Sequence, residues 1–189
     1  MNKVLIINKI GGWLSNIEGE LLYTLARNCL GNGVIVEIGS WKGKSTSWLG
    51  IGSEDGNKIK VYAIDPHTGS KEHKLYSDVW TFDTFKKNIK EVGVENIVIP
   101  IVKTSKEAAK DFNLPVELIF IDGSHEYEDV KLDFDLWFPK LIKGGVMAFH
   151  DTIDWAAPKK VVEEFLYNKK YFSDVKVVDS ITYAIKNVV

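Results

Sequence analysis

An open, doubly wound α/β sheet is the fold that the sequence predicts. Short runs apolar on both faces alternate with segments whose apolar residues step by three or four, and two adjacent strand-like runs close the chain. Runs of the first kind suit strands of a parallel sheet covered by helices on both sides. No repeat, low-complexity tract or linker interrupts the pattern, so a single domain is expected over 1–189, with a helical segment over 1–33 and the sheet core over 34–189.

The first helix is announced by Ser15-Asn16-Ile17-Glu18, which has capping-box spacing. Ile17, Leu21, Leu22, Leu25 and Cys29 follow on one predicted face, and Gly31 ends it. The β-branched run Val34-Ile35-Val36-Glu37-Ile38 ends at Gly39, and Lys60-Val61-Tyr62-Ala63-Ile64 ends at Asp65-Pro66. Val79, Phe82, Phe85, Ile89 and Val92 have helical spacing and stop at Gly93. Asn96 to Ile101 is the next strand, and Val116 to Ile121 ends at Asp122-Gly123. Tyr127, Val130, Phe134, Trp137 and Leu141 predict a helix that Pro139 ends or kinks. Val146 to Phe149 runs into His150-Asp151, and Pro158 is expected to open a last helix through Leu166. Only Asp179-Ser180 separates the strands Asp174–Val178 and Ile181–Ile185, which makes them an antiparallel hairpin.

Such a sheet carries its ligand crevice at the carboxyl ends of its strands. Glu37, Asp65, Thr104, Asp122, His150 and Asp151 would then share one rim. Composition narrows what that rim can serve. The 189 residues are 45% hydrophobic and 26% charged, which excludes a disordered chain. The formal charge of −2 gives no cationic field for a phosphate backbone, so nucleic acid is not an expected partner. The lone Cys29 excludes a disulfide scaffold and a cysteine zinc cluster. The apolar stretch near the N-terminus is too short for a signal-peptide core, and no run approaches the ~20 residues that cross a bilayer. A cytoplasmic location without a membrane partner is expected.

The segment Gly39-Ser40-Trp41-Lys42-Gly43-Lys44-Ser45-Thr46 admits two readings. Gly-Lys-Ser after a strand suggests a phosphate-binding loop, but that loop needs four residues between its glycines, and here Ser40, Trp41 and Lys42 are three. The other reading is a nucleoside-binding turn that holds no phosphate. Glu37 just before it suits a cationic ligand, and Asp65, 22 residues beyond Gly43, can accept hydrogen bonds from a ribose diol.

Four motifs occur in order: Glu-Ile-Gly-Ser-x-x-Gly-x-Ser-Thr, Ala-Ile-Asp-Pro, Ile-Asp-Gly-Ser-His-Glu-Tyr and Gly-Gly-x-x-x-x-His-Asp. Together they resemble class I S-adenosylmethionine-dependent methyltransferases, in particular the small-molecule O-methyltransferase-like group with an Ile-Asp-Gly-x-His-x-Tyr motif. The likeness runs from about Gly12 to Trp155. It implies a Rossmann-like, seven-stranded, mostly parallel sheet with an antiparallel last strand, and methylation of a small-molecule acceptor. A low-affinity phosphate-loop nucleotide-binding protein and a catalytically silent cofactor-binding module are the alternatives. The sequence is compatible with a homo-oligomer.

The resemblance places Glu37, Gly39, Ser40 and Gly43 at the methionine part of the cofactor, Asp65 at its ribose and Thr104 and Ser105 at its adenine, with Ser45, Pro66 and Asp122 as further cofactor-binding candidates. Thr104 or Ser105 equally caps the helix that follows. For proton removal from the acceptor the candidates are His125, His150 and Asp151, a neutral imidazole being the natural acceptor near pH 7. In metal-dependent relatives of the catechol type, oxygen ligands occupy the positions of Asp122, His150 and Asp151. An imidazole at His150 departs from that pattern and tilts a divalent-metal site from magnesium towards manganese or zinc. Acceptor selection is expected from Gly11–Ser15, from the loop His67–Tyr76 and from Asp154-Trp155, with hydrophobic packing as the somewhat favoured role for Trp13.

Overall fold

The computed structural model describes residues 3–69 and 79–187. The loop expected to help select the acceptor lies outside the described residues from Ser70 onward. Seven strands form one sheet: β1 (Val34–Ile38), β2 (Val61–Ile64), β3 (Val98–Ile101), β4 (Val116–Ile121), β5 (Leu141–Phe149), β6 (Phe172–Val178) and β7 (Ile181–Lys186). Their order is β3-β2-β1-β4-β5-β7-β6. The first five are parallel, and β7 runs antiparallel to both β5 and β6. The strand order reverses between β1 and β4, which is where open α/β sheets bind ligands.

Alternation along each strand sorts side chains onto two faces. Ile35, Leu118, Phe120 and Ala148 pack on one face beneath α2 (Asn16–Arg27), α3 (Lys44–Asp55) and α4 (Phe82–Val92), with the short α1 (Lys3–Ile7) at its margin. Val36, Ile38, Ile119, Ile121, Met147 and Phe149 pack on the other, under α5 (Ser105–Asp111), α6 (Tyr127–Trp137) and α7 (Ala156–Val161). The same alternation puts Glu37, Asp122 and His150 on the α2–α3 face.

Several elements differ from the sequence expectation: the short helix Lys3–Ile7 is additional, β3 begins two residues later and β6 two residues earlier than expected, and three others differ more. The buried face of α2 consists of Glu18, Gly19, Leu22 and Ala26, and Ile17 is exposed. The rotation follows from close approach to α3: a Cβ on Gly19 would stand 2.2 Å from the Trp48 indole. β5 begins at Leu141 rather than Val146, because the chain continues in strand through Gly144-Gly145, with a register shift on its β4 neighbour. The last helix starts at Ala156, before Pro158, and passes into a π-helical turn over Val162–Leu166.

At the opposite end of the sheet from the crevice, Glu117 secures the entry into β1. Its buried carboxylate accepts backbone N–H groups from Leu30, Gly31, Asn32 and Gly33 at 2.5, 3.0, 2.9 and 3.3 Å. Successive amides aimed at one carboxylate make an anion nest that the chain fills itself. Glu117→Ala is expected to destabilise the fold by about 2–4 kcal/mol, because charge-assisted bonds are lost and their donors left with water at best. At roughly 2–4 °C per kcal/mol for this size, the thermal midpoint should fall by about 5–15 °C. An unchanged midpoint in scanning calorimetry would refute that role.

Candidate active site

The glycine turn grows out of β1 at the strand-order reversal. Gly39 N–H donates to Ile64 O of β2 at 2.9 Å, and Asp122 N–H at the end of β4 donates to Ile38 O at 2.8 Å. Gly39 has φ +88° and Gly43 φ +86°, the left-handed region that favours glycine. The turn delivers the chain into α3, whose first amides face the crevice end of the sheet.

Two polar groups buried in this turn lack hydrogen-bond partners: Oε1 of Glu37 and Oγ of Ser40. The other Glu37 oxygen accepts from the hydroxyl of Thr46 in the first turn of α3. Burial pushes the Glu37 carboxyl up to about 8, opposed by the Ser45 and Thr46 hydroxyls. A buried carboxyl with one oxygen unsatisfied suits a cationic hydrogen-bond donor.

Asp65 stands at the end of β2 and grips the turn. Its carboxylate accepts from Trp41 N–H at 2.7 Å through one oxygen and from His67 N–H at 2.6 Å through the other. Each oxygen keeps a second lone-pair direction for a ligand. Pro66 follows directly and fixes the backbone there. Of the two readings open for Thr104, capping is realised: it closes a capping box with Glu107 at the start of α5. Ser105 Oγ accepts from the indole N–H of Trp137 at 2.8 Å.

The acid–base cluster lies at the ends of β4 and β5. His150 is buried, with Nδ1 3.0 Å from Asp122 Oδ1 and 3.2 Å from Asp151 Oδ2; its Nε2 lies 3.2 Å from Glu18 Oε1, an ion-pair approach without hydrogen-bond geometry. Burial opposes its charge, but the three carboxylates outweigh it and raise the imidazole to about 12. His150 thus has carboxylates near both nitrogens, surroundings that favour its protonated form.

His125 differs. It is half-buried in the turn after β4, and its Nε2 bonds Asp151 Oδ2 at 2.9 Å. Its ring stacks on Trp155 at 3.8 Å between centroids and 16° between planes. Asp151 has φ +58°, unusual for a residue with a side chain, and this turn aims its carboxylate between the two histidines. Despite the cost of its burial, hydrogen bonds from His125 and His150 hold it well below the usual carboxylate range. A His–Asp pair of this kind orients the imidazole and stabilises the imidazolium formed on proton uptake.

Asp122, His150 and Asp151, the expected metal set, offer one ligand atom each within 4.8 Å of one another. The donor chemistry fits a divalent ion of the manganese or zinc type, provided Nδ1 of His150 gives up its proton.

Glu18 was not legible as part of this cluster, since the capping-box spacing accounts for it fully. The available signal was the alternation that turns His150 towards α2. Trp13 corrects the packing expectation: it is 73% exposed, 6.1 Å from the Trp41 ring in a tilted pair. Trp155 is 43% exposed.

The fold is an open α/β sheet with a polar rim at its strand ends, and comparison gives the family. Residues 36–152 match the family described as "Methyltransferase domain", and the chain belongs to it. Protein R132 of Acanthamoeba polyphaga mimivirus is 30% identical over 125 residues, covering 64% of this chain and 52% of its own. The chain thus spans about half the length of that relative, and a match to protein y4gI of Sinorhizobium fredii covers 10% of the latter. Among solved structures, the O-methyltransferase TomG from Streptomyces achromogenes in complex with SAM has a TM-score of 0.68 at 20% identity, covering 93% of this chain and 82% of TomG. The O-methyltransferase from Bacillus cereus in complex with SAH has 0.65 at 17%, covering 97% and 89%. These likenesses establish the shared fold.

Proposed function

We infer that the protein transfers a methyl group from S-adenosylmethionine to a small-molecule acceptor, with an acceptor hydroxyl as the nucleophile. The observation that carries this reading is the pair of buried, unsatisfied groups, Glu37 Oε1 and Ser40 Oγ, in a glycine turn adjoining a His–Asp pair. Glu37 meets the ammonium of the methionine part, and the α3 amides with Ser40 and Ser45 face its carboxylate. Asp65 accepts the ribose hydroxyls, beside Pro66, and Thr104 and Ser105 bound the adenine side from the start of α5. The acidic Glu37 disfavours a triphosphate in this turn. The cofactor, when bound, supplies an electrophilic methyl on sulfonium for in-line displacement.

His125 takes the acceptor's proton, and Asp151 stabilises the resulting imidazolium. Alignment of acceptor and methyl is the larger contribution, since positioning alone can supply several kcal/mol. Should a divalent ion participate, Asp122, His150 and Asp151 would hold it, and it would add positive charge beside the acceptor oxygen. Trp13, Trp41 and Trp155 offer apolar surface at the mouth for the acceptor.

Calorimetric titration with S-adenosylhomocysteine and with ATP tests the reading. Binding of the thioether and none of ATP is expected, and the reverse would overturn it. Asp65→Ala should weaken thioether affinity about 10- to 100-fold, the scale of hydrogen bonds to a charged group. An unaltered affinity would remove Asp65 from the ribose site. Transfer of labelled methyl from the cofactor to a mixture of hydroxylated small molecules separates an enzyme from a silent binder.

A further inference from the structure

Glu18 comes from outside the span that matches the methyltransferase family, yet its carboxylate reaches the centre of the cluster. It occupies the first turn of α2 and is buried. Its oxygens divide their work. Oε2 closes the capping box by accepting Ser15 N–H at 2.8 Å. Oε1 accepts Ser180 N–H at 3.1 Å and Ser180 O–H at 2.5 Å, and lies 3.2 Å from Nε2 of His150.

Capping alone does not call for this arrangement. A glutamine at the same place closes a capping box as well as a glutamate. It could also accept from Ser180. What glutamine lacks is the negative charge that faces Nε2, and burying that charge is unfavourable unless it is paired. The two nitrogens of an imidazole point apart, so a group that fixes one decides what the other faces. Here the other nitrogen faces Asp122 and Asp151, and Asp151 in turn holds His125.

We propose that Glu18 is a positioning residue of the site: it holds the His150 ring with Nδ1 turned to Asp122 and Asp151, and ties that orientation to the β6–β7 hairpin tip through Ser180. The hairpin tip is anchored from two further sides. Ser15 donates to Asp179 Oδ2 at 2.6 Å, and Thr152 N–H donates to Ser180 O at 2.9 Å. The segments before α2, after β5 and between β6 and β7 thus converge around one ring. This role rests on the methyl-transfer reading only for its catalytic meaning; the geometry stands without it.

The test is a ring 1H–15N correlation spectrum of the four histidines in the full-length, 15N-labelled protein, with His150 identified by the signals lost in His150→Gln. Glu18→Gln should leave the α2 amide signals in place, displace the Nε2 resonance of His150, and leave that of His67 unmoved. Ser180→Ala, which removes a support of Glu18 without touching α2, should displace the same resonance by less. Glu18→Ala should displace it and lower the thermal midpoint as well, because the cap is lost. If Glu18→Gln matches the wild-type midpoint and the wild-type Nε2 resonance, Glu18 is a cap alone and the proposal fails. An Nε2 resonance unmoved in Ser180→Ala defeats the link to the hairpin. S-adenosylhomocysteine affinity is measured separately on the wild type: its absence would defeat the methyl-transfer reading and leave the ring measurement decisive for Glu18.

Discussion

Gly39→Ala is expected to abolish cofactor binding and to destabilise the fold. A Cβ at this position would stand 2.1 Å from Asp122 O, 2.6 Å from Asp122 C and 2.8 Å from Gly123 Cα. All three are backbone atoms, so no side-chain rotation relieves the overlap. The φ of +88° adds strain for any residue with a side chain. The ends of β1 and β4 must therefore part, and with them the Asp122 N–H to Ile38 O bond. A loss of at least about 3 kcal/mol is expected, read as a midpoint lower by roughly 6–12 °C. Displacement of the turn by about 1 Å is enough for a 100-fold effect at a binding or reacting centre. Calorimetric titration with S-adenosylhomocysteine measures it. A variant with wild-type midpoint and affinity would show that the turn is not where the cofactor sits.

His150→Gln should produce the second large effect, with a pH dependence that identifies its cause. Three carboxylates, Glu18, Asp122 and Asp151, surround that ring. Removing one partner of a buried ion pair costs about 3–5 kcal/mol, because the charges left behind are unpaired. In the wild type, Glu18 is held down to about 2 despite its burial, by His150, Ser180 and Ser15. A carboxyl whose folded value is depressed contributes stability above its unfolded value and loses it as pH falls. Without His150, Glu18 and Asp151 each lose one of the groups that hold them down, and Asp122, which burial already raises, loses its neighbouring cation and is raised further. A raised carboxyl contributes its stability below its unfolded value and loses it as pH rises through the folded one. The gap between wild type and variant should therefore widen from pH 5 to about pH 6.5, reaching about 6–20 °C in midpoint, and narrow above it, because the raised imidazole of the wild type stays protonated while the unfolded histidine does not. A gap independent of pH would mean that His150 acts by packing alone.

The strands were the legible part. Val34–Ile38 and Val116–Ile121 are apolar on both faces because helices cover both, and no other environment for such runs is common. The hairpin at Asp179-Ser180 was equally clear, as two-residue loops leave an antiparallel pair little choice. The β5 extension was hidden because Gly144-Gly145 reads as a breaker, whereas pairing with neighbouring strands overrides local propensity. For α2 the apolar count misled: Glu18 is buried by its partners at His150 and Ser180, and these are remote in sequence. Asp122, His125 and Asp151 could be placed on one rim from strand ends alone. Their charge states could not, because the carboxylate that completes the surroundings of His150 comes from a different helix.

Ser180 and Glu18 are 162 positions apart in the chain, yet their contact shuts the back of the pocket that holds His150. A piece limited to residues 36–152 would carry the Gly39 turn, Asp65, His125 and Asp151, and would still leave that imidazole open to water on one side. Completing the surroundings of His150 therefore depends on closing a long stretch of chain between segments far apart in the sequence, which costs chain entropy that the packed corner must repay.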